Sequence, residues 1–346
     1  MPRPDALQVE LFVSGGAELL IGLAGVATDY ELATRAASWV PDMPPDDVRR
    51  ALGRLGSGSG ELWLHLLGAA LEAGTVSAAE FVAQMDRLDA RELREHLVGL
   101  HVPAWRSIVG VETLERAAAG DPAAMRRLFR EDRYYGGEAS RALKAVLPLT
   151  PPQTKRRILA VLRAWLAVFA PHEAHTLADL EADADAKRAL TAELDPPALI
   201  AWATGGYVYE REPEFRRIAL VPHVGGRPWL FLCQHRETRL ICYPAGEHGA
   251  AARATSSRAV ALGKALADEQ RVAILGRLTR GEASLGELAD AAGLAKSTAH
   301  HHLVVLRGAG LVGLRGAARA YRYFLREDAL ASSRNLLAEV LTPRNR

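Results

Sequence analysis

The chain has 346 residues, long enough for two or more domains. Its 49% hydrophobic and 24% charged content is the balance of a globular protein and excludes a disordered chain. The formal net charge is only +2, but it is unevenly spread. Residues 255–346 carry 14 Lys and Arg against 8 Asp and Glu, which leaves −4 for residues 1–254. A basic C-terminal part beside a mildly acidic remainder is the footprint of a nucleic-acid partner at one end only. No apolar run approaches the ~18 residues of a membrane helix. Leu19 to Val26 is short and lacks the charged lead-in of a signal peptide. Two cysteines give no disulfide framework and point to a reducing cytoplasm. No membrane partner and a cytoplasmic location are therefore expected.

Ala6 to Val13 alternates weakly and reads as a strand, broken by Ser14-Gly15-Gly16. Helical periodicity then dominates. Glu61 to Ala73 reads as one apolar helix carrying Leu62, Leu66, Ala69 and Ala70. Ser77 and Glu80 have the capping-box spacing. Asp121-Pro122, Thr150-Pro151-Pro152-Gln153 and Asp195-Pro196-Pro197 open further helices, with proline in the first turn. Ile158, Leu159, Leu162, Leu166 and Phe169 line one face of a long one.

After Gly205-Gly206 the pattern turns to β. Arg217 to Pro222, Trp229 to Gln234 and Arg239 to Tyr243 are short strands of an expected antiparallel meander, pairing with the N-terminal strand. Gly246 to Ser257 reads as a linker or helix lead-in. A four-residue turn at Arg236 to Arg239 would set Cys233 and Cys242 opposite each other, roughly 4.5–5.5 Å apart at Cβ. They then suit a thiol switch, or a soft-metal site with His235. The blander reading, two small buried strand residues, is preferred.

Catalytic motifs are thin in this part. Gly56-Ser57-Gly58-Ser59-Gly60 lacks the Lys-Ser/Thr of a phosphate loop and reads as a helix–helix connection. His172 and His175 are one residue short of a zinc-protease pair, have no third ligand and read as surface histidines. Lys155, Arg156, Arg157 and Arg163 read as a solvated helix face. No nucleophile–base set or metal triad is evident, so neither an enzyme nor a cofactor is expected.

The C-terminal quarter is the most informative. Ser284, with Glu287 three residues on, opens a helix by a capping box. Leu285, Leu288, Ala289 and Ala292 form its apolar face, and Gly293 ends it where a left-handed residue is wanted. A second helix runs from Lys296 to Arg307. Ala299, Leu303 and Leu306 form its inward stripe, with His302 at the edge. At 3.6 residues per turn this turns Lys296, Ser297, Thr298, His300 and His301 outward. Two strands follow, Leu311 to Arg315 and Arg319 to Leu325, with Arg315 and Arg319 flanking the turn Gly316-Ala317-Ala318. Two helices, a glycine turn and a hairpin make a winged helix-turn-helix. Ser257 to Ala267 before it and Glu327 to Leu341 after it read as amphipathic helices.

This stretch resembles the ArsR-type winged helix-turn-helix repressors. The matching residues are Ala267-Asp268-Glu269-Gln270-Arg271 with Ile274-Leu275, then Gly286-Glu287-Leu288-Ala289 and Gly293-Leu294. They continue through Ser297-Thr298, His301-His302-Leu303, Val305-Leu306-Arg307 and Ala309-Gly310-Leu311-Val312. The resemblance covers about Ser256 to Leu341 and implies a DNA operator as partner, with the flanking helices pairing across a homodimer. Two departures stand out. The cysteine pair of the family's metal sensors is absent from Ser284 to Ala289, and Ala295 stands where a serine usually caps the second helix. The order of a long helical part, short strands and an ArsR-like end is similar to a group of uncharacterised bacterial regulators.

The expected fold is mainly α with small antiparallel β, divided at residues 1–250 and 251–346. The expected function is a transcriptional repressor. Lys296, Ser297, Thr298, His300, His301, Arg315 and Arg319 would face DNA, and the N-terminal domain would sense a small-molecule effector. The alternatives are an enzyme, or a partner-binding domain, fused to the DNA-binding module.

Overall fold

The computed structural model describes residues 7–27, 39–55, 60–130, 143–246, 251–317 and 320–341. The chain forms two compact units, one of residues 1–184 and 214–245, the other of residues 185–213 and 246–346. The division expected at residue 250 is thus incomplete. A segment of about thirty residues from the middle of the chain belongs with the C-terminal unit.

The first unit contains strand β1 (Gln8–Leu11) and helices α1 (Gly15–Ala27), α2 (Asp46–Gly53), α3 (Gly60–Leu64), α4 (Leu67–Ala73) and α5 (Ala78–Arg87). It continues with α6 (Ala90–Leu97), α7 (Pro103–Val109), α8 (Val111–Ala119), α9 (Pro122–Arg130), α10 (Pro151–Phe169) and most of α11 (Glu173–Arg188). The run Glu61 to Ala73 is two helices rather than one. The chain steps out of register at His65 and Leu66, where His65 Nδ1 meets the Leu97 carbonyl at 2.7 Å. Leu62, Leu66, Ala69 and Ala70 are nevertheless all buried. The capping boxes at Ser77 and Thr150 form as the spacing predicts. On α10, Ile158, Leu159, Leu162 and Phe169 are buried, while Leu166 is half-buried. Trp165 takes the inward place and donates its indole N–H to the Leu19 carbonyl at 3.1 Å.

Strands β3 (Arg217–His223), β4 (Phe231–His235) and β5 (Thr238–Pro244) complete the sheet, in the order β1-β3-β5-β4. β1 pairs with β3, as expected, but in parallel; β3 and β5 are also parallel, and β4–β5 is antiparallel. The sheet is therefore mixed and not the antiparallel meander read from the sequence. β5 is buried almost throughout and takes the interior position between β3 and half-buried β4. Continuous apolar runs of this kind belong to parallel, two-sided burial rather than to an alternating meander.

Helix α1 is the core of this unit, with Leu19, Leu20, Ile21 and Leu23 fully buried. It also buries Glu18, whose carboxylate accepts from Trp39 Nε1 at 2.6 Å and from the Gly225 and Val224 amides at 2.7 and 3.1 Å. Burial pushes this carboxyl's pKa up, against the three donors that favour its charge. The contact ties α1 to the β3–β4 loop. It needs glycine there, because a Cβ on Gly225 would sit 2.8 Å from Gly22 Cα.

The second unit contains α12 (Pro196–Ala203), β2 (Tyr207–Tyr209), α13 (Ala251–Leu266), α14 (Glu269–Leu278), α15 (Leu285–Ala292) and α16 (Lys296–Gly308). β6 (Val312–Gly316), β7 (Arg322–Leu325) and α17 (Ala329–Leu341) follow. Asp195 caps α12 by accepting from the Ala198 amide at 2.8 Å. Residues 251–257 of the expected linker are the first turns of α13; residues 247–250 lie outside the described part. The sheet of this unit has three strands, β2-β6-β7. β6–β7 is the expected hairpin, and β2 lies parallel to β6 on its outer side.

Among the described residues, no single helix is long and apolar enough to cross a membrane.

Candidate nucleic-acid interface

Helix α15 begins at Ser284, whose amide donates to Glu287 Oε2 at 2.7 Å and whose Oγ accepts from the Glu287 amide at 3.2 Å. It ends at Gly293, at φ +66, and the Leu294 amide turns back to the Ala289 carbonyl at 2.9 Å. This closes the helix with a left-handed glycine. The tight turn sets the next helix directly behind it. Ala295 occupies the N-cap of α16 and offers no side-chain hydrogen bond. The first amides of α16 therefore keep their hydrogen-bonding capacity, and the positive end of the helix dipole is uncovered.

Ala299, Leu303 and Leu306 are fully buried, with Val304 beside them. Lys296, Ser297 and Thr298 are exposed, as the periodicity requires. His301 is half-buried. His300 departs from expectation: it is half-buried, and burial, then nearby Arg307 and His301, push its pKa down to about 4. It is therefore neutral at pH 7 and carries no charge to offer a phosphate. His302 is used internally, with Nδ1 3.8 Å from Asp268 and 3.5 Å from Arg271 Nη1. Arg271 in turn donates to the Ala265 and Lys264 carbonyls at 2.9 and 2.7 Å, fixing the α13–α14 junction.

On the wing, Arg315 is exposed but engaged. Its Nε is 3.3 Å from Glu282 Oε1, and its guanidinium lies over the Phe324 ring at 5.4 Å. Arg319 lies outside the described residues. Arg322 stands directly across the hairpin from Arg315. It donates to the Glu282 carbonyl at 2.8 Å and pairs with Glu287 at 3.4 Å. The sequence reading missed Arg322; the hairpin register was the signal that would have found it. Ala283 bridges to Tyr323 of β7, with both amide–carbonyl bonds formed, at 2.7 and 3.0 Å. This anchors the wing to the lead-in of α15.

The other candidates are dispersed. His172 and His175 are exposed, and His175 pairs with Asp179 at 3.6 Å. Lys155 and Arg157 donate to backbone carbonyls, and Arg163 pairs with Asp86 at 2.9 Å. Of the Gly56 to Gly60 run, residues 56–59 lie outside the described part. Cys233 and Cys242 are not opposite. The turn is two residues, Arg236-Glu237, so Cys233 faces Leu240 and Cys242 faces Phe231. The cysteines are diagonal neighbours. A hydrogen bond to Cys233, and then burial, hold the Cys242 thiol protonated.

His235 Nε2 instead meets Glu72 Oε1 at 2.9 Å, with Arg236 Nη2 at the same distance from that oxygen. His96 and His101 meet edge to face close by, with ring centroids 4.8 Å apart. His235 and Glu72 border a cleft of about 670 Å³ that Arg106 and Arg217 also line. Among the described residues, no group of three or more His, Cys, Asp or Glu side chains is arranged to hold a metal ion.

A capped helix, a left-handed glycine turn, a second helix with an exposed first turn and an anchored hairpin define a winged helix-turn-helix unit. Residues 266–315 match the family described as a helix-turn-helix domain. The HTH-type transcriptional regulator CmtR of Mycobacterium tuberculosis is 41% identical over 80 residues, 23% of this chain and 68% of CmtR. The transcriptional activator HlyU of Vibrio cholerae is 39% identical over 82 residues, 24% of this chain and 76% of HlyU. This chain belongs to the helix-turn-helix transcriptional regulators. Among solved structures, HlyU from Vibrio cholerae N16961 covers 25% of this chain and 96% of its own, at 36% identity and TM-score 0.21. NolR from Sinorhizobium fredii covers 28% and 96%, at 27% identity and TM-score 0.22.

Proposed function

We propose that this chain is an ArsR-type repressor that binds a double-stranded operator as a homodimer and is released by an effector held in its first unit. The carrying observation is the exposed first turn of α16, where Lys296, Ser297 and Thr298 stand on a helix fixed by Ala299, Leu303 and Leu306. Ser297, Thr298 and His301 offer donors and acceptors for base edges in a major groove. Lys296, Arg315, Arg319 and Arg322 supply charge for the backbone, which sets affinity rather than sequence choice.

The dimer reading is supported by α13 and α17, which flank the winged motif. They leave Val260 and Leu266, and Leu337, Val340 and Leu341, exposed, an apolar face suited to a second copy. The effector reading is supported by the cleft beside Glu72 and His235 and by the missing cysteine pair in α15. On this reading the first unit is a sensor and not an enzyme, and the protein acts in the cytoplasm.

The test is a gel shift of the full chain on the DNA upstream of its own coding sequence, with sedimentation to read the stoichiometry. Retardation at nanomolar protein by a dimer supports the proposal. Equal affinity for that duplex and for mixed-sequence DNA removes the operator reading.

A further inference from the structure

The wing of this protein is not a free hairpin. An isolated two-stranded hairpin is marginal in water, and here its outer edge is covered by β2, which comes from about a hundred residues upstream in the chain. Tyr207 pairs with Leu314, Val208 with Arg315 and Tyr209 with Gly316. The Leu314 amide donates to the Gly206 carbonyl at 3.0 Å, and Arg326, just past β7, donates to the Gly205 carbonyl at 3.2 Å. β2 is started by Thr204, whose Oγ1 accepts from the Tyr207 amide at 3.0 Å.

Within this strand one side chain reaches the point where the wing turns. Tyr207 is fully buried, and its phenol donates to the Gly316 carbonyl at 3.0 Å. Gly316 ends β6 at φ +131, and a Cβ there would run into the Ala320 carbonyl. The residue that sets the direction of the wing tip is thus clamped from outside the winged motif. Arg315 is its immediate neighbour in the chain, and Arg322 stands across the hairpin from Arg315.

We propose that Tyr207 is a positioning residue for DNA binding: through β2 and its bond to Gly316 it fixes the angle at which Arg315 and Arg322 meet the phosphate backbone. This rests on the DNA-binding reading above. It makes residues 195–213 part of the DNA-binding module rather than of the sensor. The chain enters and leaves the first unit on either side of this segment, so strain arising there has a covalent route to the wing.

The test uses the full chain and two labelled duplexes, one from upstream of its own coding sequence and one of mixed sequence, at two salt concentrations. Tyr207→Phe keeps the buried ring and removes the hydroxyl that makes the clamp. Tyr209→Phe is the control, since the Tyr209 oxygen accepts from the Glu212 amide at 3.3 Å, in the segment after β2. Loss of the clamp predicts a weaker Kd for Tyr207→Phe on both duplexes, by at most the worth of one hydrogen bond, up to about five-fold. The slope of log K against log salt should also become shallower by about one phosphate contact. Tyr209→Phe, matched for stability by its Tm, should leave that slope unchanged.

An unchanged Kd and slope for Tyr207→Phe overturns the proposal. So do equal shifts in both variants, which would show a structural role only. A wild-type chain that binds neither duplex overturns the DNA-binding reading itself, and this proposal with it. That outcome is distinct from a wild type that binds and a variant that matches it.

Discussion

Arg315 and Glu282 form a 3.3 Å ion pair at the base of the wing, with the Arg315 guanidinium also over the Phe324 ring. On the proposed DNA-binding reading, this carboxylate holds the arginine that a phosphate would take over. Both side chains are more than a third exposed, and such surface pairs are worth roughly 0–1 kcal/mol. Exchange for a phosphate therefore costs little. Glu282→Gln is expected to tighten binding to every sequence, by up to about five-fold at low salt, and to lose that advantage as salt rises. Fluorescence anisotropy at two ionic strengths decides it; weaker binding by the variant would mean that Glu282 orients Arg315 productively.

The first turn of α16 should separate readout from affinity. Ser297→Ala or His301→Ala is expected to cost roughly 1–3 kcal/mol on the operator and little on random DNA. Arg319→Ala should weaken both and flatten the salt slope by about one unit. His300, neutral because its pKa is about 4, should add no charge-dependent affinity between pH 8 and pH 6. Equal losses on operator and random DNA for Ser297 and His301 would show that the helix does not read bases.

The fragment 251–346 carries the whole winged motif but lacks β2. It is expected to fold with an open β6 edge, to bind DNA more weakly than the full chain and not to answer to the inducer. Linkage requires an effector that releases DNA to favour one state, typically by about 1–3 kcal/mol. A fragment that still responded to inducer would move the effector site into the winged helix.

Acid should destabilise the first unit. Burial lowers the pKa of His96 to about 4 and that of His223 to about 3, and also lowers His101 and His235. The unfolded chain takes up these protons near pH 6.5, before the folded one does. Stability is thus fully present above about 6.5, falls as pH drops through 6 and 5, and stops falling on account of His96 near 4. Urea melts at pH 7.5 and 5.5 measure this; equal midpoints would show the cluster to be hydrated.

Cys233 and Cys242 should prove structural. The Cys242 thiol is buried and held protonated, so it is a poor nucleophile. A Cys→Ser double variant is expected to keep DNA affinity and the inducer response under oxidising and reducing conditions. Loss of the response with unchanged circular dichroism would assign them a sensing role.

The sequence by itself determined what is local. Ser77, Thr150 and Ser284 cap their helices because a hydroxyl and a Glu or Gln three residues on satisfy amides within one turn. Gly293 ends α15 because only glycine enters the left-handed region without strain. Ala299, Leu303 and Leu306 turned Lys296, Ser297 and Thr298 outward by periodicity alone. Tertiary structure decided what depends on partners far along the chain. The parallel pairing of β3 with β5 follows from burial on both faces, which a three-strand pattern read in isolation does not reveal. His300 shares the outward arc with Ser297 and His301, yet its surroundings desolvate it. The third strand of the wing is three residues, Tyr207 to Tyr209, with no periodicity long enough to assign them. Their place at β6 is set by backbone hydrogen bonds and by one phenol reaching Gly316, and neither leaves a mark in local sequence.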